Sequence, residues 1–147
     1  MTEETNAGEG WEHLLSLEDL MSMHGKEMAS RHHTSTQVAK DGCVEGALGN
    51  AWLAEHYSLA GAPGSTPGFI FACYALRLLA MNHCLVDGNK RLAWMAFVGA
   101  LAALSLSIDV SDDDAEAFVN LVVTEHLDGP AVASWASERI TVLHPAQ

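Results

Sequence analysis

Two apolar stretches joined by a short polar one constrain this chain more than anything else in it. The first, to about Met81, is apolar nearly all round: Phe69, Ile70, Phe71, Cys73, Tyr74, Leu76, Leu78 and Leu79. The second, from about Asn89 to Leu106, carries Leu92, Trp94, Met95, Phe97, Val98, Leu101 and Leu104. A helix that is apolar on every side belongs in the middle of a core. Two in succession predict a pair of central helices, with the polar stretch as the loop between them. That stretch reads His83-Cys84-Leu85-Val86-Asp87-Gly88-Asn89-Lys90-Arg91.

Gly88 allows the positive φ that a tight turn into a helix often needs. Asn89, Lys90 and Arg91 then fall in the first helical turn. Two cations there oppose the partial positive charge of a helix N-terminus, which ordinarily attracts Asp or Glu. They are two of only 7 Lys and Arg residues in a chain of net charge −12. A bound anion would reconcile the placement, because free backbone N–H groups, the dipole and both cations would all point at it. Phosphate is the expected anion. A divalent metal on Asp87 would accompany a polyphosphate such as ATP. His83, one helical turn earlier in sequence, is free to act as a base.

These residues resemble the signature of the Fic/Doc superfamily, roughly His-x-Phe-x-(Asp/Glu)-(Gly/Ala)-Asn-(Gly/Lys)-Arg. Lys90, where the larger Fic branch has Gly, makes the string most similar to the Doc (death-on-curing) toxins. Leu85 replaces the usual Phe, an apolar packing anchor exchanged for another. Lys40-Asp41-Gly42-Cys43-Val44-Glu45-Gly46-Ala47-Leu48 looks like a second family block, a glycine turn leading into a helix. The resemblance covers roughly Leu17 onward.

The remaining sequence predicts one domain. Residues 1–15 read as an acidic, disordered tail and residues 16–147 as the helical domain. Ser16-Leu17-Glu18-Asp19 resembles a capping box, and Leu17, Leu20, Met21, His24 and Met28 recur at helical spacing to about Arg31. His24 lies on that apolar stripe and reads as a core histidine. Residues 31–42 are polar and aperiodic, long for a connection inside a compact domain. Adjacent His32 and His33 diverge and lack a third ligand, so no metal site is read there. A second helix spans about Val44 to Tyr57. Gly61 to Ser65 breaks structure, and Thr66 and Pro67 suit the start of the first central helix. Arg77 is expected to snorkel or meet a carboxylate, and Asn82 to end that helix. Residues 107–110 read as extended. Ser111 to Asp114 caps a helix to about His126, which explains three successive aspartates more simply than a metal does. Pro130 opens a last helix through Ile140. With no multi-stranded β pattern, the class is all-α: about six helices with a catalytic loop between two central ones.

The charge argues against nucleic acid and against an anionic membrane surface. No apolar run reaches a membrane span, and the first residues lack a signal-peptide pattern. Cys43, Cys73 and Cys84 form no C-x-x-C pair and cannot all pair internally, which reads as a reducing cytosol. A Cys84–His83 nucleophile is set aside, because neighbours in an extended loop point apart.

The resemblance implies an ATP-dependent kinase. It would transfer the γ-phosphate to a Ser or Thr hydroxyl of a translation factor of the elongation factor Tu kind, in the cytoplasm, and be neutralised by a Phd-like antitoxin. His83 would take the hydroxyl proton, and Asp87 would hold Mg2+. Gly88 and Asn89 would bind phosphate oxygens, and Lys90 and Arg91 would stabilise the group in flight. Residues 31–42 would flank the site and receive the target chain. Fic-type AMP transfer is the alternative. Lys90 and Trp94, which stands where many Fic motifs have a second Arg, count against it. Thr5 to Gly10 fits the Fic self-inhibitory pattern, but Gly8 and Gly10 weaken a helix there. A third reading is a catalytically silent Fic-fold binding module.

Overall fold

The structure, a computed structural model, describes residues 10–58 and 68–143. They form six α-helices: α1 Leu17–His32, α2 Cys43–Ser58, α3 Phe69–Met81, α4 Asn89–Ala103, α5 Asp112–Thr124 and α6 Gly129–Ser137. Two short strands, β1 Leu106–Ile108 and β2 Ile140–Val142, pair antiparallel with Ile108 opposite Ile140. The fold is all-α.

The pair α3 and α4 is the centre. Phe71, Leu76 and Leu79 of α3 and Leu92 and Phe97 of α4 are fully buried. Between these large side chains sit Ala72, Ala75, Ala93, Ala96 and Ala100, also inaccessible. Small residues alternating with large ones let two helices interlock closely without voids. The other helices cover this pair with one face each. On α5 that face is Ala115, Phe118, Val119 and Val122. An aromatic cluster joins α4, α5 and α6: Trp94 meets Trp135 edge-on at 6.3 Å, and Trp135 stacks on Phe118 at 3.7 Å.

Polar side chains fix where the helices begin. Ser16 accepts from the backbone N–H of Asp19, and Ser111 from that of Asp114, both at 3.1 Å. Asp128 does the same for Ala131 at 2.9 Å, just ahead of Pro130. The N-terminus of α3 is capped from a distance. Buried Glu55 of α2 accepts from the backbone N–H groups of Gly68 at 2.7 Å and Phe71 at 3.0 Å. A carboxylate reaching across from another helix leaves no local sequence signal. The breaker at 61–65 and the expected start at Thr66 and Pro67 lie outside the described residues.

Several expectations are corrected. The expected tail over residues 1–15 ends sooner, because Trp11–His13 form a 3-10 turn with Trp11 and Leu15 packed on the core. Residues 1–9, including most of the Thr5 to Gly10 pattern, lie outside the described residues. The helix after the loop stops at Ala103, not Leu106, and Ser105 adopts a left-handed φ of 62° that turns the chain into β1. The last helix stops at Ser137, and Ile140 lies in β2 instead. β-Branched Ile140-Thr141-Val142 suits a strand better than a helix end. Arg77 meets no carboxylate among the described residues: its Nε donates to the Leu127 carbonyl at 2.7 Å.

The cysteines are not all reduced. Cys43, at the start of α2, forms a disulfide with Cys84 across 41 residues of sequence, and Cys73 is free. Spacing alone hid this pairing, because it is made by the docking of two distant turns. Burial pushes the Cys73 thiol up to about 12, with the nearby Glu55 charge adding to the effect. Closing a loop of 41 residues is worth about 4 kcal/mol in a chain-entropy account. The Cys43→Ser/Cys84→Ser protein should lose about that much in urea unfolding, and a dithiol reductant should lower the wild-type midpoint to match. Equal midpoints with and without reductant would show that the bridge contributes nothing.

Candidate active site

The loop from α3 to α4 is partly buried, so its backbone groups need partners. Asn89 supplies two, accepting from the Leu85 N–H at 2.8 Å and donating to the Leu85 carbonyl at 3.0 Å. Residues 37–39 supply others. Val38 bridges antiparallel to Leu85, the Ala39 N–H donates to the Cys84 carbonyl at 2.8 Å, and the Val86 N–H donates to the Gln37 carbonyl at 2.8 Å. Lys40 Nζ closes the near end on the Asn82 carbonyl at 2.7 Å. The polar connection after α1 is therefore a brace for the loop. Leu85 is 2% exposed, the apolar anchor expected where the family has Phe.

Gly88 is the N-cap of α4 with φ 83°. A Cβ there would come within 2.7 Å of His24 Nε2 and 2.9 Å of Met28 Sδ. Conformation and close approach both require glycine. His24 is fully buried on α1. Its Nε2 lies 2.9 Å from the Gly88 carbonyl and its Nδ1 2.6 Å from Thr36 Oγ1. A carbonyl only accepts, so neutral His24 carries its proton on Nε2 and accepts a hydrogen bond from the Thr36 hydroxyl at Nδ1. Burial lowers the His24 pKa; the nearby Arg91 charge also lowers it, against the Gly88 hydrogen bond and the charges of Asp87 and Glu27.

Above this cradle lies a cavity of about 450 Å3, within the range of small-molecule sites. His83, Asp87, Gly88, Asn89, Lys90 and Arg91 all line it, so the structure brings every expected site residue together. The opposite wall is α5, with Asp112, Glu116 and Asn120. His83 is exposed with a left-handed φ of 55°. That conformation is uncommon outside glycine and is a form of strain found at functional positions. Asp87 is exposed and accepts from the Gly88 N–H at 2.8 Å. Among the described residues no group of three or more His, Cys, Asp or Glu could hold a metal unaided. One carboxylate at an open cavity fits Mg2+, which keeps several waters and relies on substrate phosphates for further ligands.

The two cations diverge. Lys90 Nζ donates to Asn120 Oδ1 on α5 at 2.8 Å. Arg91 turns toward α1, its Nε 3.8 Å from Glu27 Oε2, which also holds Arg31 Nε at 2.9 Å. A partly exposed pair at that separation is weak, so Glu27 compensates Arg91 only slightly, and the cavity sets Lys90 and Arg91 beside the carboxylates of Asp87, Asp112 and Glu116. Asn120 and Glu27 were not legible in sequence, because each reaches the site from a separate helix. His32 also borders the cavity, and His33 is the left-handed C-cap of α1. Trp94 lines the cavity and packs on Trp135 and Phe97.

A helical domain with this loop at the N-terminus of a buried helix has the arrangement that the Fic/Doc resemblance implies. No protein-family model matches the chain. It is similar to a curated protein named Toxin Doc from Mycolicibacterium smegmatis (strain ATCC 700084 / mc(2)155), 42% identical over 65 residues. The match takes in 43% of this chain and 50% of the relative. The chain thus spans about half the length of the curated relative it matches. The likeness supports a Doc toxin over the part that it covers.

Two outcomes follow from this geometry. In the window below the ordinary histidine value of 6.5, the unfolded chain binds more protons than the folded one, so stability falls as pH falls through it. Urea midpoints from pH 8 to pH 5 should show that loss, and His24→Gln should flatten it. Sulfate, phosphate or Mg-ATP should raise the melting temperature, by roughly 2.7 kcal/mol of stability at a hundredfold excess over Kd. Arg91→Ala should weaken that response while changing intrinsic stability by under about 0.5 kcal/mol, since lost pairing and relieved dipole repulsion offset each other. No response to any anion would rule out an anion site.

Proposed function

We propose that the chain is a Doc-like toxin that transfers the γ-phosphate of ATP to a Ser or Thr hydroxyl of a translation factor of the elongation factor Tu kind. The observation that carries this is Lys90 in the cavity wall, its ammonium held toward Asn120 at 2.8 Å. The similarity to a Doc toxin supports it. In an AMP-transferring site, glycine at this position would leave an open backbone cradle for the nucleotide phosphates. Here a long cationic side chain occupies that side and favours the opposite entry of the triphosphate.

On this reading His83 removes the proton from the incoming hydroxyl. The hydroxyl oxygen forms a bond to the γ-phosphorus as the bond to the β,γ-bridging oxygen breaks, and ADP departs. The Gly88 turn offers the backbone N–H groups of the first turn of α4 to phosphate oxygens. The Asn89 carboxamide is committed to Leu85, so its contribution to phosphate binding is made by its backbone N–H. Lys90 and Arg91 supply fixed positive charge where negative charge shifts in the transition state. Mg2+ on Asp87 would neutralise charge between phosphate oxygens. Residues 37–39, already paired to the loop, are the proposed edge for the target chain.

A Phd-like antitoxin and a cytoplasmic location belong to the same proposal. The Cys43–Cys84 bridge is the observation that sits least easily with a reducing compartment. No helix among the described residues is long and apolar enough to cross a membrane.

Expression of the wild-type chain should arrest growth, and His83→Ala should not, with nearly unchanged stability. The purified chain should add phosphate to its target and release ADP, measured by intact mass and nucleotide analysis. Lys90→Gly should lose most of that transfer. An AMP adduct with pyrophosphate from the wild type would replace the kinase by the AMP transferase. Equal toxicity of wild type and His83→Ala would leave only the silent binding module.

A further inference from the structure

The buried imidazole of His24 touches both segments that build the site, and neither contact is needed to hold α1 in the core. Leu20 and Met28, each 1% exposed, already anchor that helix on either side. His24 instead spends both ring nitrogens on segments distant in sequence. Nε2–H donates to the carbonyl of Gly88, the residue that aims the first turn of α4 at the cavity. Nδ1 accepts from Thr36, the residue just before the 37–39 segment that pairs with the loop.

We propose that His24 is a positioning residue that locks the phosphate cradle at Gly88 to the target-facing segment at 37–39, so that the two shift together or not at all. The proposal deepens the transferase reading and rests on it for the meaning of the two segments. Its physical content is independent: one neutral ring holds two otherwise separate stretches of backbone. The Gly88 carbonyl already accepts from the Leu92 N–H at 3.0 Å as the first bond of α4. A second donor on the same carbonyl fixes the orientation of the peptide plane between Gly88 and Asn89, which carries the Asn89 N–H. Thr36 in turn is half-buried, and its hydroxyl has no freedom to rotate while it donates to Nδ1. The lack of room for a Cβ on Gly88 keeps the imidazole in contact with the turn.

The two halves of the lock can be cut separately. Thr36→Val keeps the shape and removes the bond to Nδ1. His24→Asn places an amide near the Nδ1 position and loses Gly88. His24→Gln places one near Nε2 and keeps it. Amide hydrogen exchange is the first readout, and it does not depend on activity. Thr36→Val should speed exchange at residues 37–39 and also at Asn89 to Arg91, about tenfold in each, although Thr36 does not touch α4. His24→Asn, which loses the Gly88 bond outright, should speed Asn89 to Arg91 further still, and His24→Gln, which keeps Gly88 but loses Thr36, should bring them back to the Thr36→Val rate. If Thr36→Val loosens only 37–39, the segments are not coupled through His24 and the proposal is wrong.

Kinetics with the wild type as reference is the second readout. Thr36→Val should raise KM for the target protein at least fivefold and KM for ATP with it, because the cradle loosens together with the segment. His24→Asn should lower kcat at least tenfold, and His24→Gln should recover most of it. Equal losses for His24→Asn and His24→Gln, tracking their melting temperatures, would reduce His24 to a packing residue and overturn the proposal. A wild type that transfers nothing from ATP overturns the transferase reading instead, and the exchange pattern alone then decides whether the lock exists.

Discussion

A loop that joins two buried helices must find partners for its own backbone, and that constraint organises this protein. Every buried N–H or carbonyl left unpaired there would cost a desolvation penalty of about 1–3 kcal/mol. Asn89, close by in the chain, and residues far along it together meet the demand. Asn89 serves Leu85, residues 37–39 serve Cys84 and Val86, Lys40 serves Asn82, and His24 serves Gly88. The disulfide from Cys84 to Cys43 fixes the same loop covalently. Once the loop is so held, the exposed side chains of His83 and Asp87 are presented to the cavity on a rigid base. Such preorganisation is what a positioned base or ligand requires.

The same arrangement creates an electrostatic imbalance. The N-terminus of α4 carries Lys90 and Arg91 where a protein of net charge −12 has ample acidic residues to spare. The neighbouring helix α5 shows the ordinary solution, with Asp112, Asp113 and Asp114 in its first turn. Glu27, which pairs with Arg91 across from α1, is shared between two arginines and lies 3.8 Å from Arg91. Asn120 is neutral and only orients Lys90. Asp87 meets this end of the helix through the Gly88 N–H, but among the described residues neither Lys90 nor Arg91 has a close carboxylate of its own on the cavity side, a state that an anion would relieve.

Much of this was legible in the sequence, and for identifiable reasons. Helical periodicity and all-round apolarity located α3 and α4 as the central pair. The caps at Ser16 and Ser111 and the turn at Gly88 are local chemistry, so they could be read locally. His24 read correctly as a core histidine from its place on an apolar stripe. Interactions made only by tertiary docking were not legible. Glu55 capping α3, Asn120 holding Lys90, the Cys43–Cys84 bridge and the pairing of 37–39 with the loop all join residues far apart in sequence. The short sheet was missed because Ile140 continues the apolar spacing of α6, so periodicity alone carried the helix too far. The role of Asn89 shifted as well, since its carboxamide is used to fold the loop.

Trp94 and Lys90 together bear on the choice between the two transferase chemistries. In Fic-type motifs a second arginine near the Trp94 position adds positive charge one helical turn beyond the first. Here Trp94 is packed against Trp135 and Phe97 and joins α4 to α6. Half-buried Trp94 also borders the cavity, so an aromatic ring stands where such a charge would face it. The cavity's fixed positive charge is therefore confined to the first turn of α4, beside His83 and Asp87. A triphosphate bound here would find its strongest anchor at that turn and no second cation deeper along α4. On the proposed kinase reading, the phosphate nearest His83 would then be the one that carries the most negative charge. For ATP that is the terminal γ-phosphate, the group whose transfer leaves ADP.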